Sequence, residues 1–197
     1  MNRHLSLTAL GLFLMSSSAS ANLIANGSFE SGAHVNDSCN YMAVNPGSTA
    51  LDGWDIGAQV AWGLDVCDGN GGSDGAGFVD LSSFGANSLG EISQALMLDI
   101  GTEYTLSFDS QGGAIDVTLN GDELVPTGAP GAGGYMTFTV IFTALETASV
   151  LSFANAAPGN PIVFLDNVIL TAAPVPVPGA LALFASAIGF TAFRRKA

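Results

Sequence analysis

Positive charge is almost missing from this chain. Its 197 residues hold four Lys and Arg against seventeen Asp and Glu, a formal net charge of -13. The four are Arg3 and the terminal Arg194, Arg195 and Lys196, so the long body between them has no fixed cation. Phosphate backbones are held by Lys and Arg with release of counterions, which excludes nucleic acid as a partner. The same lack removes any P-loop lysine or arginine clamp for nucleotides. Histidine is nearly absent too: past the first few residues only His34 remains. With that single histidine and no His-Glu-x-x-His helix, nucleophilic or zinc hydrolysis has nothing to stand on. Paired carboxylates could still serve a glycan hydrolase or lyase. No apolar run reaches the ~20 residues that cross a bilayer comfortably.

What is present divides the chain into five parts. Residues 1–21 have a positive start, an apolar stretch from Leu5 to Met15 and a small-residue close at Ala19-Ser20-Ala21, the three parts of a secretory signal peptide. Residues 22–171 form a body of roughly 150 residues, the size of one domain. Residues 172–178 are a Pro-rich spacer, 179–193 an apolar segment expected as a short transmembrane helix, and 194–197 a basic tail expected on the cytoplasmic side. Cys39 and Cys67 both follow the signal, and in an oxidising compartment a disulfide between them is the expectation.

Within the body, apolar and polar residues alternate with a period of two. Tyr104, Leu106 and Phe108 make one strand, Ile115, Val117 and Leu119 a second, and Phe138, Val140 and Phe142 a third. Asn120-Gly121 is a hairpin turn, because both residues tolerate positive φ. Val150 to Ala154 and Ile162 to Leu170 add two more strands, the last apolar on both faces and hence central. Leu23 to Glu30, Trp54 to Ile56, Val60 to Trp62, Phe78 to Ser82 and Gly90 to Ala95 supply shorter ones. So many short strands in one domain predict an all-β, two-sheet jelly-roll sandwich.

Three aromatics outside the clearest strand cores, Trp54, Trp62 and Tyr41, are candidate platforms for the C–H faces of sugars. Trp62 is the best of them, since the Gly53-Trp54 pair is expected to pack between the sheets. The acidic run around Asp65, Asp68, Asn70 and Asp74 invites comparison with an EF-hand but fails its register: counted from Asp68, the sixth position is Ser73 and the twelfth Val79. Asp68 and Asp74 are left as weak candidate ligands for calcium in a flexible loop.

Two resemblances sharpen this reading. Val175-Pro176-Val177-Pro178-Gly179, the apolar stretch with Gly189, and Arg194-Arg195-Lys196 resemble PEP-CTERM sorting signals in a Val-Pro-x-Pro variant, Val177 replacing the name-giving Glu. The resemblance implies processing by a membrane exosortase in a Gram-negative bacterium that exports exopolysaccharide. It also implies anchoring in the membrane before processing, then a place at the cell surface or in the extracellular matrix; a plain tail anchor is the alternative. The body, from Asn26-Gly27-Ser28-Phe29-Glu30 to Leu165-Asp166-Asn167-Val168, is similar to galactose-binding-like jelly rolls, in particular choice-of-anchor domains and carbohydrate-binding modules. That likeness implies a structural calcium held by Glu30 and Asp166, and polysaccharide as a partner. The resulting expectation is a non-enzymatic exported protein associated with exopolysaccharide or biofilm. A purely structural, self-associating envelope protein is the alternative, and a glycan hydrolase or lyase the third.

Overall fold

The structure is a computed structural model, which describes residues 21–35, 41–64, 71–82, 89–131, 134–156 and 162–174. Residues 1–20 of the expected signal peptide, Cys39, Cys67, Asp68 and the motif from Val175 onward lie outside the described residues. Among those described, no helix is long and apolar enough to cross a membrane.

Among the described residues, twelve strands build two antiparallel sheets. In chain order they are β1 (Tyr41–Val44), β2 (Asp55–Ala58), β3 (Val60–Leu64), β4 (Gly77–Asp80), β5 (Glu91–Met97), β6 (Glu103–Gly112), β7 (Ile115–Leu119), β8 (Asp122–Leu124), β9 (Thr127–Pro130), β10 (Met136–Thr143), β11 (Ala148–Asn155) and β12 (Val163–Ala172). One sheet has the order β1-β3-β4-β12-β6-β10-β9 and the other β2-β5-β11-β7-β8. The all-β two-sheet sandwich expected from the alternation is present. β12, apolar on both faces, is the middle strand of the larger sheet.

Alternation decides which side chains meet between the sheets. Leu106 and Phe108 of β6, Val117 of β7, Leu151 and Phe153 of β11 and Leu165 of β12 all point inward and are almost wholly buried. Their neighbours Phe164 and Asp166 point to the outer face of the larger sheet. There Phe164 joins Phe78 and Tyr135 in a small second cluster, with Tyr41 at its margin. Asn120 (φ 55°) and Gly121 (φ 85°) make the expected hairpin turn between β7 and β8.

One expected strand is not there. Leu23 to Glu30 is a run of turns, in which Asn26 and Phe29 take positive φ (50° and 54°). It nevertheless lies along β12, through Leu23 N–H to the Leu170 carbonyl (2.8 Å) and Val168 N–H to the Gly27 carbonyl (2.9 Å). The reason is close approach: a Cβ on Gly27 would stand 2.0 Å from the Val168 carbonyl oxygen. Backbone so near in an irregular path leaves no room for a regular ladder of side chains.

Candidate functional site

The Gly-rich segment 71–77 crosses the outer face of the larger sheet and is tied down by carboxylates. Glu30 Oε1 accepts the Ala76 and Gly77 N–H groups, both at 2.6 Å. Asp166 Oδ2 accepts those of Ser73 (2.6 Å) and Asp74 (2.8 Å), and its Oδ1 accepts that of Asn167. Asp109, the cross-strand partner of Asp166, accepts the hydroxyls of Ser73 (2.8 Å) and Thr137 (2.6 Å) and the Asn167 amide (3.1 Å). Tyr135 donates its hydroxyl to the Gly71 carbonyl at 3.0 Å. Its glycines let the segment lie this close: a Cβ at Gly77 would sit 2.3 Å from the Phe29 carbonyl oxygen, and Gly75 takes positive φ (89°).

Burial pushes the Asp166 carboxyl up to about 6, although the amides of Asp74, Asn167 and Ser73 and the Ser73 hydroxyl favour its charged form. Burial likewise raises Asp80, against the pull of Ser82. Tyr135 is raised as well, first by burial and then by the nearby Asp166.

Glu30 and Asp166 are thus brought to one loop, as clamps on backbone amides. Calcium takes 6–8 oxygen ligands, whereas the loop turns N–H groups toward both carboxylates. Among the described residues no cluster of three or more His, Cys, Asp or Glu gathers. This arrangement does not fit a calcium shared by the two. Asp74 is exposed and accepts the Ser28 hydroxyl at 3.0 Å.

The tryptophans depart from their expected roles in different degrees. Trp62 is wholly buried, with Nε1 donating to the Phe29 carbonyl (2.9 Å) and its ring against His34 (4.8 Å between centroids). A platform needs an open face, so Trp62 is a core residue and not the displayed one. Inward alternation with Val60 on β3 puts it there. Trp54 packs between the sheets as expected, 5.4 Å from Phe29 and 6.1 Å from Phe153. Tyr41 is half-buried, edge-on to Phe78.

Trp54 also floors a polar groove of about 460 Å³ at the β2 edge of the smaller sheet, bordered by Ser48, Thr49, Asp52 and Asp55. That volume lies within the ~300–1,000 Å³ of small-molecule sites. Gln94 fixes its base: Oε1 accepts the Ala25 N–H (2.8 Å), and Nε2 donates to the carbonyls of Ala25 (2.9 Å) and Gly53 (2.8 Å). Asp52 and Asp55 stay exposed at the rim. Sequence reasoning missed Gln94, Asp109 and Tyr135. For Gln94 a signal existed, since it shares the inward register of Ile92 and Leu96 and is a polar residue at an apolar position.

A family model described as a protein of unknown function, DUF642, matches residues 22–169. The chain belongs to the DUF642 family. No curated protein matches it. Among solved structures, this DUF642 chain is similar to TmCBM61 in complex with beta-1,4-galactotriose, at 16% identity and a TM-score of 0.49 over 78% of this chain and 100% of that one. It is also similar to a CBM4 structure, at 18% identity and 0.43 over 76% and 99%. A third is the CBM22-1 xylan-binding domain of Paenibacillus barcinonensis Xyn10C, at 12% and 0.45 over 81% and 99%. These neighbours of the DUF642 chain are carbohydrate-binding modules.

Proposed function

We propose that this DUF642 chain is an exported, non-catalytic glycan-binding protein of the cell envelope or extracellular matrix. The observation that carries the reading is the groove at the β2 edge, where exposed Asp52 and Asp55 stand over a floor that includes Trp54. Carboxylates accept hydrogen bonds from sugar hydroxyls, and hydrogen bonds to charged groups are the stronger ones. A body without fixed cations repels uronate and sulfate chains, so the ligand is a neutral polysaccharide. Export, exosortase processing and a place beside exopolysaccharide in a Gram-negative biofilm rest on the two terminal segments.

Glycan-array screening of the exported protein tests this. Binding to neutral polysaccharide is expected without release of reducing ends, and Asp52→Ala with Asp55→Ala should weaken it about tenfold or more. Silence across the array would overturn it, and release of sugar products would favour a hydrolase or lyase. A second reading, a self-associating structural protein, draws support from Met97, Ile100 and Leu145, which stand 74%, 66% and 79% exposed. It requires oligomers in light scattering that Leu145→Ser dissolves.

A further inference from the structure

The body begins and finishes at one end of the sandwich. Leu23 N–H bonds to the Leu170 carbonyl (2.8 Å), so the start of the body lies beside the last residues of β12. Ala172 is the register partner of Tyr104, and Ala173 N–H donates to the Glu103 carbonyl at 2.8 Å. The chain thus departs against the start of β6. The loop that precedes β6 and the loop between β10 and β11 lie at this end as well. They run side by side: Leu98 N–H bonds to the Thr147 carbonyl and Gly101 N–H to that of Ala144, both at 2.8 Å.

These paired loops display three large apolar side chains, Met97, Ile100 and Leu145, all largely open to solvent. Apolar residues gathered on an outer surface mark a protein or a membrane contact. The departing chain decides between the two. Exposed Pro174 opens the spacer 174–178 directly beyond Ala173, and five residues reach at most about 18 Å. Then come the apolar stretch 179–193 and the basic residues 194–197. A bilayer that takes up the apolar stretch is therefore held close to Met97, Ile100 and Leu145. Charge selects the lipid, since a body without Lys or Arg is repelled by anionic headgroups and tolerates zwitterionic ones. Asp99, Glu103 and Glu146 stand exposed at the same end, and their carboxylates keep the loops in the hydrated headgroup layer and out of the hydrocarbon.

We infer that the end of the sandwich carrying Met97, Ile100 and Leu145 is a docking surface for zwitterionic lipid. The body then stands on the bilayer in a fixed orientation instead of swinging on its spacer. This rests on the anchoring reading of the C-terminal segment and is independent of glycan binding at the Trp54 groove.

The test is tryptophan fluorescence of the full-length protein reconstituted into phosphatidylcholine vesicles, with and without lipid brominated near the headgroup. Both native tryptophans are buried in the core, so an added one reports its own surroundings. Leu145→Trp should lose most of its added emission to bromine. Ala114→Trp, exposed at the far end of β6 and about 30 Å along the strand, should keep its own. Phe184→Trp, in the apolar stretch, gauges anchoring by itself and should be quenched. Met97→Ser with Ile100→Ser should restore the emission of Leu145→Trp while Phe184→Trp stays quenched. Quenching of Phe184→Trp without that of Leu145→Trp would overturn the docking surface and leave the anchor standing. Quenching of neither would overturn the anchoring reading and the docking surface with it. Blue-shifted emission of Leu145→Trp that bromine does not touch would overturn it as well, showing a second copy or the chain's own tail over the loops.

Discussion

The outer face of the larger sheet and the space between the sheets at β8 and β9 treat buried polarity in opposite ways. Under segment 71–77, Asp166 and Asp109 are buried, yet each accepts several N–H or O–H donors. Behind the β8–β9 link, Ser110 is just as buried and has none. The first region has committed its hydrogen bonds to holding a loop, so its carboxylates are structural. The second leaves a hydroxyl both enclosed and unpaired, a cost to the fold with no bond in return.

Removing the clamp should break this contrast most severely. Asp166→Ala strips the acceptor from three backbone amides and is expected to destabilise by about 3 kcal/mol, or roughly 6–12 °C in melting temperature. Urea unfolding would check it; an unchanged midpoint would mean that the loop holds itself. The pH dependence comes next. The folded Asp166 carboxyl, at about 6, binds its proton more tightly than the unfolded one near ~3.9. Its contribution is therefore complete below that lower value and is lost as pH rises through about 6. The loss should reach about 2–3 kcal/mol, and Asp166→Asn should flatten the unfolding free energy across that window relative to wild type. Gly75→Ala, which combines positive φ with a Cβ pressed on Glu30, should cost about 1–2 kcal/mol and open segment 71–77 to protease. The smallest effect has the opposite sign. Ser110→Ala should stabilise by about 1 kcal/mol, visible as a higher melting temperature, because it deletes an unmet hydroxyl.

Strands with clean alternation were legible: Tyr104 to Phe108, Ile115 to Leu119 and Phe138 to Phe142 fall inside β6, β7 and β10. One face of each packs against the core, and that leaves a period-two signature. β8 and β9 carry no such signature. They are short edge strands, and in β8 Asp122 and Glu123 are both exposed. The Leu23 to Glu30 turns were mistaken for a strand because apolar Ile24 and Phe29 are buried by irregular backbone, which composition does not distinguish from a ladder. In the site, the likeness to galactose-binding-like jelly rolls singled out Glu30 and Asp166, and the structure brings both to segment 71–77. Their role came from the loop between them in space, which lies far from both in sequence. Trp62 showed the same limit: residue type suggested display, while its register on β3 decided burial.

The position of β12 has a consequence for the order of assembly. The middle strand of the larger sheet is also the last strand of the sandwich in sequence, and the N-terminal segment from Leu23 to Gly27 is pinned to it. A chain emerging N-terminus first has neither the centre of that sheet nor the partner of its own beginning until residue 163 and beyond arrive. Such long-range closure is slow, so the sandwich completes itself only in a late step. Shuffling β12 to the front of the chain by circular permutation would let the centre of that sheet form early.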